Sequence, residues 1–194
     1  MEKDCGAWIN LLSHKVKTRL DATLFDLGIT SMQSRVIYYV LVHFKEGPVL
    51  QRDIESVFGL SRSTTTGILQ QLEKKGIIRR EGVANDARLK SLVPTQHAVE
   101  LNAQVYACLR ETDRLLTREL SGGQIQLFKE TAAQMLRNLE DWDRASAEDT
   151  ADNPNRRSSA RWGQKKFVPE QKEAVSAAKD TEGIYGKRRN TTND

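Results

Sequence analysis

Arg62, Ser63, Thr64, Thr66 and Gln70 place one cation, three hydroxyls and one amide within a short stretch. Groups of this kind donate and accept single hydrogen bonds. They suit the edges of base pairs in a major groove and the oxygens of phosphates. At about 100° per residue, a helix over 62–75 puts Thr65, Ile68 and Leu72 on an inner side, with Leu69 at its edge, and turns Arg62, Ser63, Thr66 and Gln70 outward. Ser61 is the expected N-cap and Gly76 the expected stop, while Gly67 would let another backbone approach the outer face.

Two elements must hold that helix in place. Before it, residues 50–60 form a short helix whose Ile54, Val57 and Leu60 point inward, with Gly59 at a sharp bend where a side chain would be in the way. Gln51 and Ser61 are positioned to support contacts to a nucleic-acid backbone. After it, residues 77–81 and 88–93 read as two strands joined by a turn over 82–87 and ended by Pro94. Alternation sends Leu89, Ser91 and Val93 one way and Arg88, Lys90 and Leu92 the other, so two cations stand near the tip of a hairpin. Asp86 is spaced to orient the Arg88 guanidinium by a charge-assisted hydrogen bond. The whole reading unit spans about 50–93.

These residues resemble the winged helix-turn-helix of the MarR family of bacterial transcription regulators. Asp86-Ala87-Arg88-Leu89-Lys90, followed by Pro94-Thr95, is similar to the family's wing motif, and STTTGILQQLEKKGIIRRE, Ser63 to Glu81, is similar to its recognition helix and first wing strand. GITSMQSRVIYYV resembles the second helix of the family, and the likeness extends more loosely from Trp8 to Trp142. Glu55 departs from the small residue usual at that position. The resemblance implies a mainly α fold with a small β-wing, in which N- and C-terminal helices flank the winged unit and join two copies. It also implies a homodimer on a pseudo-palindromic operator and a ligand-responsive repressor of transcription.

Outside the reading unit the chain is helical. Trp8, Ile9, Leu12, Val16, Leu20, Leu24 and Leu27 predict a first helix over 5–26, ended by Gly28, and Thr30 caps a second. Thr95 is expected to start a long helix reaching Leu120, and Ser121 to cap another that carries Ile125, Phe128, Met135, Leu139 and Trp142. These helices show more apolar surface than the winged unit can cover, which agrees with pairing between copies. From residue 145 onward apolar positions are sparse and largely Ala, so 1–144 is the expected domain and 145–194 a polar, disordered tail.

Charge placement supports the same partner. Residues 61–90 hold seven Lys or Arg against three Asp or Glu, which accounts for the net charge of +4 of the 194-residue chain. Such a patch on an otherwise balanced protein marks a phosphate-binding face. Double-stranded DNA is therefore the expected partner, and the patch lacks the apolar side a membrane-surface helix needs. No apolar run approaches the ~20 residues that span a bilayer, and the acidic N-terminus lacks a cleavable apolar segment, so a cytoplasmic location is expected.

Catalysis and cofactors find no foothold. There is no Gly-x-Ser-x-Gly and no phosphate loop, and His14, His43 and His97 fall on three separate predicted helices without ligand spacing. The resemblance implies an effector, a small aromatic or lipophilic molecule, between the dimer helices and the reading unit, for which Trp8, Tyr38, Tyr39 and His43 are the candidates. Cys5 lies near the reactive cysteine of the family's peroxide-sensing branch and is the candidate redox thiol, although Leu24, Phe25, Ser31 and Met32 stand where that branch uses tyrosines. The competing reading is a winged-helix protein-interaction module that binds no specific DNA sequence.

Overall fold

The computed structural model describes residues 4–83 and 86–151. Six helices and one two-stranded sheet follow in order: α1 (Cys5–Asp26), α2 (Ser31–His43), α3 (Gln51–Phe58), α4 (Arg62–Lys74), β1 (Ile78–Val83), β2 (Asp86–Pro94), α5 (Gln96–Thr117) and α6 (Gly122–Ala151). Residues up to 112 form one compact unit and those from 113 a second, with α5 running across the division.

Local signals set the ends of the helices. The Asp4 carboxylate accepts the Ala7 amide at 2.7 Å to start α1. At its other end the amides of Gly28 and Ile29 donate to the carbonyls of Phe25 and Leu24, two bonds that close orphan acceptors of the last turn. Helix α4 ends the same way: Gly76 and Ile77 donate to Glu73 and Leu72, with Gly76 at φ 67°. Gly59 sits at φ 60° between α3 and α4, and no atom lies within 4 Å of where a Cβ would be. Backbone handedness, not lack of room, is what calls for glycine at this bend. Gly67 also has open space around it, so no second backbone approaches it among the described residues.

The core of the first unit gathers residues from every element. Leu24 and Ile29 come from α1 and the corner after it, Val36 and Val40 from α2, Ile54 and Phe58 from α3, and Leu69 and Leu72 from α4. Their burial against the wing base and α5 holds the reading unit in one pose. In the sheet, Ile78 pairs with Pro94 and the register continues to Gly82 with Lys90. There it breaks, and Val83 pairs with Asp86, which leaves residues 87–89 in a bulge. A third short segment joins the sheet edge, since the Leu92 amide donates to the Val49 carbonyl at 2.7 Å.

Two expectations change here. Ser91, Leu92 and Val93 are all buried, so the base of β2 does not alternate between core and solvent. Helices α2 and α3 both contact this strand, and the bridge between Leu50 and Ser91 closes over its edge. Thr95 does precede α5, but its hydroxyl turns to the carbonyls of Gly76 (2.7 Å) and Ile77 (3.0 Å) and so fastens the foot of the wing to the end of α4. Helix α6 begins with the expected cap: the Gln124 amide donates to Ser121 Oγ at 3.3 Å, and Ser121 N–H donates to Gln124 Oε1 at 2.9 Å. It runs to Ala151, past the compositional boundary at 145; the rest of the tail lies outside the described residues.

Candidate nucleic-acid interface

Helix α4 presents its outer face through residues spaced by one turn: Ser63, Gly67, Gln70 and Lys74. Ser63, Gln70 and Lys74 are exposed and Gly67 is partly so. Inside, Thr65, Leu69 and Leu72 are fully covered, while Ile68 is only partly buried. Leu69 is thus at the centre of the inner face, where the helical wheel alone had placed Ile68. The Thr65 hydroxyl avoids an unpaired burial by donating to the Ser61 carbonyl at 3.0 Å.

Ser61 caps the helix by accepting the Thr64 amide at 3.2 Å. Its oxygen also lies 3.0 Å from Ser63 Oγ and 2.8 Å from Thr64 Oγ1, so three exposed hydroxyls cluster at the positive end of the helix dipole. Arg62 stands exposed beside them. Thr66 is half-buried and faces α3 instead of solvent. Gln51 Nε2 donates toward it at 2.9 Å, toward Glu55 Oε1 at 2.8 Å and, more distantly, toward the Arg62 carbonyl at 3.4 Å. Glu55, the unusual residue of α3, therefore serves as an acceptor that fixes the Gln51 amide between the two helices.

On the wing, Arg88 and Lys90 are both exposed, with Arg88 in the bulge. The side chain of Asp86 lies outside the described residues. Arg79 pairs with Glu81 at 3.3 Å, and Arg80 with Glu73 of α4 at 3.4 Å. Arg80 Nε and Nη2 are buried with no hydrogen-bond partner, so this cation is held close to the protein.

The effector candidates separate. Tyr39 and His43 come together on α2, their ring centroids 4.3 Å apart, and Tyr39 meets Phe58 of α3 edge-on at 5.9 Å. His43 Nδ1 is 3.0 Å from Glu46 Oε2. Burial pushes the Tyr39 phenol above its ordinary value, and the carboxylates of Asp53 and Glu46 add to the effect. Tyr38 is half-buried on α2, and Trp8 is 51% exposed on α1. Cys5 is exposed at the start of α1, and Cys108, partly buried, has its sulfur 3.0 Å from Thr23 Oγ1.

Sequence reasoning passed over three participants. Lys74 lies one turn beyond Gln70 and is found by counting four. Gln33 completes a reciprocal cap with Thr30, accepting the Thr30 amide at 3.0 Å while its own amide donates to Thr30 Oγ1 at 3.2 Å. The pattern Thr-x-x-Gln announces that cap. Gln71, which accepts from Gln33 Nε2 at 2.7 Å, has no local sequence signal.

Comparison with known proteins gives a consistent answer. Residues 27–89 match the family model described as MarR family. A DNA complex of MepR from S. aureus is 26% identical, with 67% of this chain and 96% of that one covered and a TM-score of 0.60. S. aureus MepR bound to ethidium bromide is 25% identical, covering 71% and 97%, with a TM-score of 0.57. A Clostridium acetobutylicum protein assigned to the MarR family of transcriptional regulators is 27% identical, covering 68% and 95%, at a TM-score of 0.60.

Proposed function

We propose that this chain, whose residues 27–89 match the MarR family model, is a MarR-type transcriptional regulator: a ligand-responsive repressor that binds a pseudo-palindromic operator as a homodimer in the cytoplasm. The observation that carries the reading is the outer face of α4, where Ser63, Gln70 and Lys74 are exposed around a glycine, beside exposed Arg88 and Lys90 on the wing. In this assignment Gln70, Ser63 and Thr64 meet base edges or phosphates, and Arg62, Lys74, Arg88 and Lys90 meet phosphates or the adjacent minor groove. Gln51, Ser61 and Thr66 act at one remove by fixing α4 on α3.

Apolar exposure supports the dimer. In the first unit Trp8, Ile9, Leu11 and Leu12 are exposed on α1; in the second, Leu127, Phe128, Leu136, Leu139 and Trp142 are exposed on α6. A stable monomer rarely leaves so much apolar surface in water. Two copies place two recognition helices about one DNA turn, ~34 Å, apart. MepR in complex with DNA lends the partner by likeness, and MepR with ethidium bromide lends an aromatic, lipophilic class of effector. Tyr39, which meets Phe58 edge-on at the α2–α3 junction, and His43 beside it are the aromatic groups proposed to meet it, with Tyr38 and Trp8 as further candidates. Cys5 remains a candidate thiol for oxidant sensing.

Selection of duplexes from a random pool by the purified full chain, followed by footprinting, tests the core of this proposal. Enrichment of an inverted repeat with half-sites one turn apart is expected. Failure to enrich any motif at low salt, with the protein folded, would leave the protein-interaction reading in its place.

A further inference from the structure

The recognition helix is gripped on both flanks, and only one grip belongs to the helix-turn-helix itself. On the α3 side, Gln51 holds Thr66. Five residues later, about 140° around the helix, Gln71 lies on the other flank, with the outer face between them. Gln71 Oε1 accepts from Nε2 of Gln33, a side chain only 2% exposed whose own Oε1 is committed to the Thr30 amide. One turn further along α4, Lys75 Nζ donates to the backbone carbonyl of Gly28. Both bonds end on the corner between α1 and α2, which the buried Ile29 anchors in the core.

We propose that Gln33, Gln71 and Lys75 are positioning residues for DNA recognition: a polar brace that sets the rotation of α4 from the α1–α2 corner and touches no base. The inference rests on the DNA-reading assignment of α4. Two attachments one turn apart resist both rotation and tilt, which a single bond cannot do. Gln33 is buried and its acceptor oxygen is already used, so turning α4 away takes the partner from its side-chain amide. Gln70 is the immediate neighbour of Gln71, so any rotation that breaks the brace swings Gln70 relative to the groove. The coupling runs both ways: a displacement of the corner is delivered to the reading face through the same two bonds.

The test uses the full chain with Gln71→Met, which keeps the length of the side chain, removes the acceptor and changes no charge. Affinity for the selected operator is expected to fall about tenfold, while affinity for a scrambled duplex and the salt slope stay as in the parent; the unfolding midpoint falls modestly, because the buried Gln33 amide loses its partner. Lys75→Arg, which retains a donor and the charge, should stay near parental operator affinity, and Lys75→Met should not. Unchanged operator binding by Gln71→Met, or an equal loss on both duplexes, overturns the brace. If the parent itself selects no operator, the DNA reading has failed and the brace is judged without DNA: amide hydrogen exchange over 28–34 and 62–75 should rise several-fold together in Gln71→Met, and unchanged exchange in either segment refutes it.

Discussion

Gly67 separates what the fold needs from what DNA needs. It lies inside α4 with ordinary helical φ, on the outer stripe, and a Cβ built there meets nothing within 4 Å. Gly67→Ala therefore introduces no clash in the protein. Replacing an interior helical glycine by alanine stabilises by roughly 0.5–1 kcal/mol through backbone entropy and helix propensity. For a chain of this size that is on the order of 1–4 °C in Tm, measured at fixed protein concentration because assembly also shifts the midpoint. Operator binding should move in the opposite direction. If the helix backbone approaches the duplex at this point, a methyl group holds it off, at a cost comparable to one lost base contact, ~1–3 kcal/mol or on the order of ten- to a hundredfold in Kd. Thermal unfolding and fluorescence anisotropy on the same samples give both signs. A variant that gains stability and binds the operator as tightly as the parent would refute the apposition of this face to DNA. Gly76→Ala is the control: with open space but φ 67°, it should cost about 1 kcal/mol of stability by strain alone.

Arg88→Ala should weaken binding to every duplex and lower the salt slope by about 1, whereas Gln70→Ala should relax preference at one base step; competition against a panel of single-substituted operators distinguishes them. Trp142→Glu, placing a charge in the exposed apolar stripe of α6, should shift the protein from dimer to monomer in sedimentation analysis and reduce operator binding with it. The Tyr39 phenol is raised above 10.0 in the folded chain, so the fold holds that proton more tightly than the unfolded chain does. Its contribution is complete below pH 10 and is lost as pH climbs through the raised value; Tyr39→Phe should flatten this alkaline decline in urea unfolding between pH 8 and 11, and an unaltered decline would assign it to other groups.

Much of this was legible because the signals are local. Asp4, Ser61 and Ser121 each accept the amide three residues ahead, and Gly28 and Gly76 close helices over six residues, so the ends of α1, α4 and the start of α6 follow from short spacings. The faces were less legible, because partners far away in sequence decide them. Ile68 is left half-covered beside the flank that carries Gln71 and Lys75, and the burial centre moves to Leu69. Ser91 is buried with Leu50 paired against it from far upstream in the sequence, and no alternation rule contains that contact. Gln51 and Thr66 look like a free amide and hydroxyl on paper; in the fold they satisfy each other. The end of α6 escaped notice for a different reason: residues 145–151 carry no apolar stripe, yet the helix extends through them.

The wing is tied to α4 and its C-terminal end by polar contacts, and this bounds the electrostatics of binding. Arg80 of β1 is 3.4 Å from Glu73 of α4, and Thr95 ties the foot of the wing to the carbonyls at the end of the same helix. Arg80 is thereby neutralised where it stands, Arg79 is offset by Glu81, and Lys75 is turned back onto Gly28. The exposed cations of α4 and the wing assigned above to phosphates are Arg62, Lys74, Arg88 and Lys90. A dimer using all of them makes eight contacts, and counterion release at ~0.9 per phosphate gives a slope of log affinity against log salt of about −7. A titration of operator binding across salt concentrations measures it. A slope near −3 would mean that only one copy, or only the wing or the helix, engages the duplex. One much steeper than −7 would recruit cations beyond this face, and the paired arginines could join only by abandoning Glu73 and Glu81.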